Sequence, residues 1–135
     1  MVKVIYGTKG TGKTKQMLAL ASEYIRSAKG CITYITDTQE YSLAIPHRIR
    51  YINSKDYLIA SEDRFIGFLA GLIAGNTDTE YVFIDGAARI CKSEIDSMEG
   101  FYAYLEKLCK EFGVRFIVTV SADRDKLPEF IGKHV

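Results

Sequence analysis

The stretch Gly7-Thr8-Lys9-Gly10-Thr11-Gly12-Lys13-Thr14 decides how the chain is read, because it fits the pattern G-x-x-x-x-G-K-[ST] at every position. Each residue type answers a physical demand. Glycines let the backbone curl until successive N–H groups face one anion. Lys13 is long enough to reach the β- and γ-phosphates of a nucleotide, and the Thr14 hydroxyl is placed to ligate Mg2+. A helix starting here adds its N-terminal N–H groups and its dipole. All positions from Gly7 to Thr14 are therefore expected to bind phosphate. A dinucleotide-type G-x-G-x-x-G reading fails, since Gly10-x-Gly12 leads to Lys15 where that pattern needs glycine.

The flanking sequence supplies the context this loop requires. Val2-Lys3-Val4-Ile5-Tyr6 is a β-branched run ending at Gly7, which predicts a buried strand feeding the loop. Thr14 to Lys29 carries apolar residues at Met17, Leu18, Ala21, Ile25 and Ala28, a helical period closed by Gly30. Cys31 to Thr36 (CITYIT) predicts a second strand, stopped by Asp37-Thr38-Gln39-Glu40. Tyr41 to His47 is irregular, and Arg48 to Ile52 (RIRYI) predicts a third strand. Ser61 to Ala74 predicts a helix with Ser61 as N-cap, and Gly67, Gly71 and Gly75 are spaced for a tight helix contact. Tyr81 to Ile84 predicts a fourth strand. A long helical face follows, from Ile95 through Met98, Tyr102, Leu105 and Cys109 to Phe112, opened by a capping box from Ser93 to Asp96. Val114 to Val120 (VRFIVTV) predicts the last strand, and Leu127 to Val135 is too short and mixed to assign. Strands alternating with crossover segments predict a three-layer α/β fold, a mostly parallel five-stranded sheet with helices on both faces.

A phosphate loop that works with Mg2+ needs an acid across the metal, capping a buried apolar strand. Tyr81-Val82-Phe83-Ile84-Asp85 supplies one, so Thr14 and Asp85 are the expected metal positions. Asp37 and Glu40 follow the second strand, and in a parallel sheet the strands' carboxyl ends share one edge with the loop. Either carboxylate can face the γ-phosphate there, which makes Lys13, Asp37 and Glu40 the candidate catalytic residues. Lys9 is read as an exposed loop residue within reach of phosphate. Arg89, Arg115 and Arg124 lie nearest functional strand ends by sequence, and an arginine from a neighbouring subunit can stabilise charge on a transferring phosphoryl group. Asp123 to Pro128 is placed to line a nucleobase pocket.

Composition narrows the rest. The 135 residues carry 18 Lys+Arg and 17 Asp+Glu, a net charge of +1, with 47% apolar and 26% charged residues. These values exclude a disordered tail, a collagen-like repeat and a coiled-coil rod, and they show no basic footprint for nucleic acid. Cys31, Cys91 and Cys109 are odd in number and lack C-x-x-C spacing, so they read as reduced core thiols. His47 and His134 read as isolated, solvated imidazoles. The longest apolar run, Phe65 to Gly75, is too short to span a bilayer, and no secretory signal opens the chain. Residues 1–135 are thus expected to form a single cytoplasmic nucleotide-binding domain without membrane contact.

On the phosphate loop, the Asp85 strand end and Asp37 after CITYIT, the chain is identified as a P-loop NTPase that resembles a minimal RecA-type ATPase core. That resemblance implies Mg2+ and ATP as ligands, Asp37 as the acid following the second strand, and Ser121 as a polar sensor near the γ-phosphate. It also implies an arginine or lysine beyond the last strand, Arg124 or Lys126, acting across an assembly with a protein partner or a second copy. The guanine-reading NKxD pattern is absent, which favours ATP. Three activities fit the resemblance: a slow Mg-dependent ATPase, a nucleotide-sensing module without efficient hydrolysis, and a small-molecule or nucleoside kinase. Gly86 follows Asp85 where many P-loop ATPases hold a water-activating glutamate, and the usual acid at position 37 is the longer glutamate.

Overall fold

Period-two alternation along the strands divides the apolar residues between two faces of one sheet. The computed structural model describes residues 1–135. Strands β1 (Val2–Gly7), β2 (Cys31–Thr36), β3 (Arg50–Asn53), β4 (Thr79–Ile84) and β5 (Arg115–Ser121) lie in the order β1-β5-β4-β2-β3, and every pairing is parallel. Helices α1 (Lys13–Tyr24), α2 (Glu62–Gly75), α3 (Ala87–Cys91), α4 (Glu99–Phe112) and α5 (Glu129–Gly132) cover it. Ile35, Val82, Ile84, Phe116 and Val118 pack with Phe65 and Leu69 of α2, Ile90 of α3, Phe101 and Leu105 of α4, and Ile131 of α5. Ile32, Tyr34, Tyr81, Phe83 and Ile117 face the other way, under Met17 and Ala21 of α1 and Ile45 and Ile49 of the 37–49 connection. The three-layer α/β expectation holds, with the sheet wholly parallel.

This layering fixes where a ligand can bind. After the neighbouring strands β2 and β4 the chain departs toward opposite faces, as it does after β1 and β5. Crevices open at the carboxyl edge of a parallel sheet where connections part in this way.

Several boundaries differ from the sequence pattern, each for a local reason. Helix α1 stops at Tyr24, not Lys29, because the Arg48 guanidinium donates to the carbonyls of Ile25 (2.6 Å) and Ala28 (2.8 Å) and so satisfies the groups a helix end leaves open. With Arg48 so engaged, β3 begins at Arg50. The Ser61 cap forms as expected, its hydroxyl accepting from the Arg64 N–H at 3.2 Å. The capping box from Ser93 to Asp96 does not form. Ser93 Oγ donates to Glu62 Oε2 at 2.9 Å, Ile95–Ser97 is a 3-10 turn, and α4 starts only at Glu99. The expected tight contact at Gly67, Gly71 and Gly75 is also absent, since a Cβ at any of them would meet nothing within 4 Å. The buried stripe of α2 is Phe65, Leu69 and Ile73. Cys31 is exposed, in contrast to buried Cys91, whose thiol is pushed up to about 12 by burial and by Glu62. No helix is long and apolar enough to cross a membrane.

The unassigned tail has a structural part to play. α5 leads the chain back along β1, and the Val4 N–H donates to the His134 carbonyl at 2.9 Å, which covers an otherwise open sheet edge. His134 is accordingly not a solvated imidazole. Its side chain is 13% exposed, with Nε2 3.0 Å from Glu106 Oε1 but off the line of a hydrogen bond. Burial lowers its pKa below the ordinary 6.5, with Glu106 opposing. The folded state then holds fewer protons at His134 than the unfolded chain does. Its contribution is fully present above pH 6.5 and is lost as pH falls through the folded value. Urea midpoints are expected to drop between pH 7.5 and pH 5.5, and to drop less in His134→Gln. Phe65, buried and stacked on Phe101 at 5.7 Å, tests the larger core. Phe65→Ala is expected to destabilise by about 3–5 kcal/mol at unchanged m-value, against less than ~0.5 kcal/mol for Leu43→Ser at a 99% exposed site.

Candidate functional site

At the carboxyl end of β1 the chain turns through residues 8–12 into α1. Gly12 is the helix N-cap with φ 86°, in the left-handed region that a side chain disfavours. The Thr8 carbonyl organises the loop, accepting from the Thr11 N–H (3.3 Å), Thr11 Oγ1 (2.7 Å) and Lys13 Nζ (3.0 Å). Lys13 is thus folded back over the loop. Burial lowers the pKa of its ammonium, opposed by the charge of Asp85.

Asp85, 2% exposed, lies one residue beyond β4. A buried carboxyl group is tolerable only with donors around it. Oδ2 accepts from Thr14 Oγ1 at 2.8 Å and from Tyr34 OH at 2.9 Å, and Oδ1 accepts from Thr119 Oγ1 at 2.9 Å. Thr119 Oγ1 in turn accepts from the Gly86 N–H at 2.8 Å. Thr36 Oγ1 donates to the Asp85 carbonyl at 3.2 Å. Burial, reinforced by Asp85, raises the Tyr34 phenol well above its ordinary pKa, so it remains a donor.

The cavity above Asp85 has a volume of about 610 Å3. Lys9, Gly10, Gly12, Lys13 and Thr14 line one side, and Asp37, Glu40, Tyr41 and Arg89 another. Gly7, Thr8 and Thr11 shape the loop without lining this space, and Ser121 reaches its edge. Asp37 is paired with Arg89 of the same chain, Nε to Oδ2 at 3.3 Å. Glu40 is exposed and enters no ion pair. The other arginines are elsewhere. Arg115 lies at the amino end of β5, donating to Tyr81 OH at 2.7 Å, and Arg124 stands 5.9 Å over the Tyr6 ring. From the 123–128 segment, Asp123 and Lys126 line an adjoining cleft with Thr8 and Ser121. A groove of about 480 Å3 between α2 and α4, at the opposite end of the sheet, is largely apolar, with Lys107 and Glu111 its only charges.

Tyr34, Thr36 and Thr119 were not singled out by the sequence pattern. The available signal was a hydroxyl within an otherwise apolar central strand, in CITYIT and RFIVTVS, where a buried polar group must find a partner.

No family model and no curated protein matches the chain. Among solved structures, it is similar to the flagellar accessory protein FlaH from Methanocaldococcus jannaschii, at 15% identity and a TM-score of 0.63. The match covers 96% of this chain and 64% of that one, so the chain spans somewhat under two thirds of the FlaH length. The likeness shows a RecA-like α/β fold.

The hydroxyl cage can be tested by volume-conserving changes. Thr119→Val leaves Asp85 Oδ1 and the Gly86 N–H without their partner and is expected to destabilise by about 2–3 kcal/mol in chemical denaturation. Tyr34→Phe, which leaves Oδ2 its bond from Thr14, is expected to cost about 1 kcal/mol.

Proposed function

We propose that this protein binds Mg·ATP in the cavity above Asp85 and hydrolyses it slowly, as an ATPase of RecA-like type. The observation that carries this reading is the juxtaposition of the Gly7–Thr14 loop with Asp85: Thr14 Oγ1 lies 2.8 Å from a buried carboxylate oxygen. Oxygen donors of this kind fit Mg2+, which takes one or two protein oxygens and completes its shell with phosphate oxygens and water. No group of three or more His, Cys, Asp or Glu side chains could hold an ion by itself, so the metal would arrive with the nucleotide. When bound, Mg2+ supplies positive charge to the β- and γ-phosphate oxygens.

The chain's own residues supply the remainder. N–H groups of the loop and of the first turn of α1 receive the phosphates, aided by the dipole of a 12-residue helix. Lys13, released from the Thr8 carbonyl, neutralises charge developing on the γ-phosphoryl oxygens. Asp37 or Glu40 accepts a hydrogen bond from water and orients it for in-line attack. A partner or second copy would complete the site if turnover by the lone chain is slow.

A second reading, nucleotide sensing without efficient turnover, has its own support. Gly86 supplies no carboxylate after Asp85, and Asp37 is already occupied by Arg89.

Product analysis after long incubation with Mg·ATP tests both readings. Wild type is expected to release ADP and phosphate, and Lys13→Ala at least about tenfold less, the loss of one charge-assisted contact. ATP retained intact by wild type alone would favour sensing. No retention or turnover by either protein would overturn the nucleotide assignment.

A further inference from the structure

Building on the nucleotide reading of this site, we infer that Arg89 is the residue by which the cavity distinguishes a nucleoside triphosphate from a diphosphate, leaving Asp37 for the terminal phosphoryl group when that group is present.

Arg89 lies on α3, one turn beyond Asp85, and its guanidinium stands over Gly86. Gly86 has φ 88°, and a Cβ there would overlap the guanidinium. Glycine at this position therefore both turns the chain into α3 and leaves the space that Arg89 occupies. From there Nε and Nη2 reach Oδ2 and Oδ1 of Asp37, each at 3.3 Å, and Nη2 comes within 3.4 Å of the Asp85 carbonyl.

This pair is poised for exchange. A guanidinium closed on a carboxylate usually sits at about 2.7–2.9 Å, so 3.3 Å is long. The Arg89 side chain is 51% exposed and the Asp37 side chain 22%, so water reaches the contact and weakens it. Arg89 and Lys13 line the same cavity, and the charge of Arg89 adds to the burial that lowers the Lys13 pKa. Each cation already faces a carboxylate, Lys13 the charge of Asp85 and Arg89 the side chain of Asp37, so an incoming anion has to compete with those contacts. A terminal phosphoryl group presents about two negative charges and three acceptor oxygens, and it suits the planar fork of arginine.

A diphosphate lacks that group, so Arg89 stays on Asp37. When a triphosphate draws Arg89 away, the Asp37 carboxylate is freed to accept a hydrogen bond from the attacking water. The water-orienting acid then becomes available only when there is a γ-phosphate to attack.

Calorimetric titration with ADP and with a non-hydrolysable ATP analogue, both with Mg2+, tests this on wild type, Arg89→Ala, Arg89→Lys and Asp37→Asn. Wild type is expected to prefer the triphosphate. Arg89→Ala should weaken the triphosphate about tenfold or more and leave ADP within about twofold, as expected for one charge-assisted contact. Arg89→Lys, which keeps the charge and loses the fork, should fall between. Asp37→Asn, which removes the competing anion, should tighten the triphosphate more than ADP. A merely structural role for Arg89 would weaken both ligands alike in a wild type that binds them, and that result overturns the inference alone. So would tighter triphosphate binding by Arg89→Ala. Failure of wild type to bind either ligand overturns the nucleotide reading itself, and this inference with it.

Discussion

Asp85 places a carboxyl group at the carboxyl end of the middle strand of a parallel sheet with almost no access to water, and the rest of the site is arranged around that constraint. An unpaired polar group in such surroundings costs several kcal/mol. It is tolerated because three separate elements each bring a hydroxyl: Thr14 from α1, Tyr34 from β2 and Thr119 from β5. Each of these contacts fixes something further. Thr14 holds the first turn of α1, and with it the Gly7–Thr14 loop, against the end of β4. Tyr34 and Thr119 set the strands on either side of β4, and the Asp85 N–H extends the β2 pairing by donating to the Ile35 carbonyl at 2.8 Å. The acid is the point at which these elements are joined, and the cavity opens directly above it.

The fold was largely legible because its signals are local and periodic. Strands β1, β2 and β4 read as apolar runs ended by Gly7, Asp37 and Asp85, and the motif around Gly12 needs no tertiary knowledge. What could not be read were contacts made across long stretches of chain. Nothing near Lys29 shows that Arg48 will take the carbonyls of Ile25 and Ala28 and end α1 early. The Ser93 capping box was a sound local pattern that lost to a partner 31 residues away, Glu62. Gly67, Gly71 and Gly75 have the spacing of a packing face, yet the larger stripe of Phe65, Leu69 and Ile73 takes the core and leaves the glycines outward.

The candidate site divides in the same way. The loop and Asp85 follow from motif and strand pattern, whereas their immediate surroundings do not. Tyr34 and Thr119 are hidden among apolar neighbours and gain meaning only when strand order sets them beside Asp85. Arg89 is conspicuous by sequence as a charge that could serve a neighbouring subunit. In the folded chain its side chain lies over Gly86 and pairs with Asp37 of the same chain. The RecA-like fold shared with FlaH accounts for the common edge at which loop, acids and arginine meet. The chemistry assigned to that edge rests on this chain's own side chains.

On the proposed function, Thr14 and Asp85 form half of a metal site that a phosphate-bearing ligand completes. Water-proton relaxation with Mn2+ in place of Mg2+ reads this out. Wild type is expected to bind Mn2+ strongly when ADP is present and little without it, and Asp85→Asn to lose the nucleotide-dependent part. Mn2+ bound equally with and without nucleotide, or undiminished in Asp85→Asn, would contradict it.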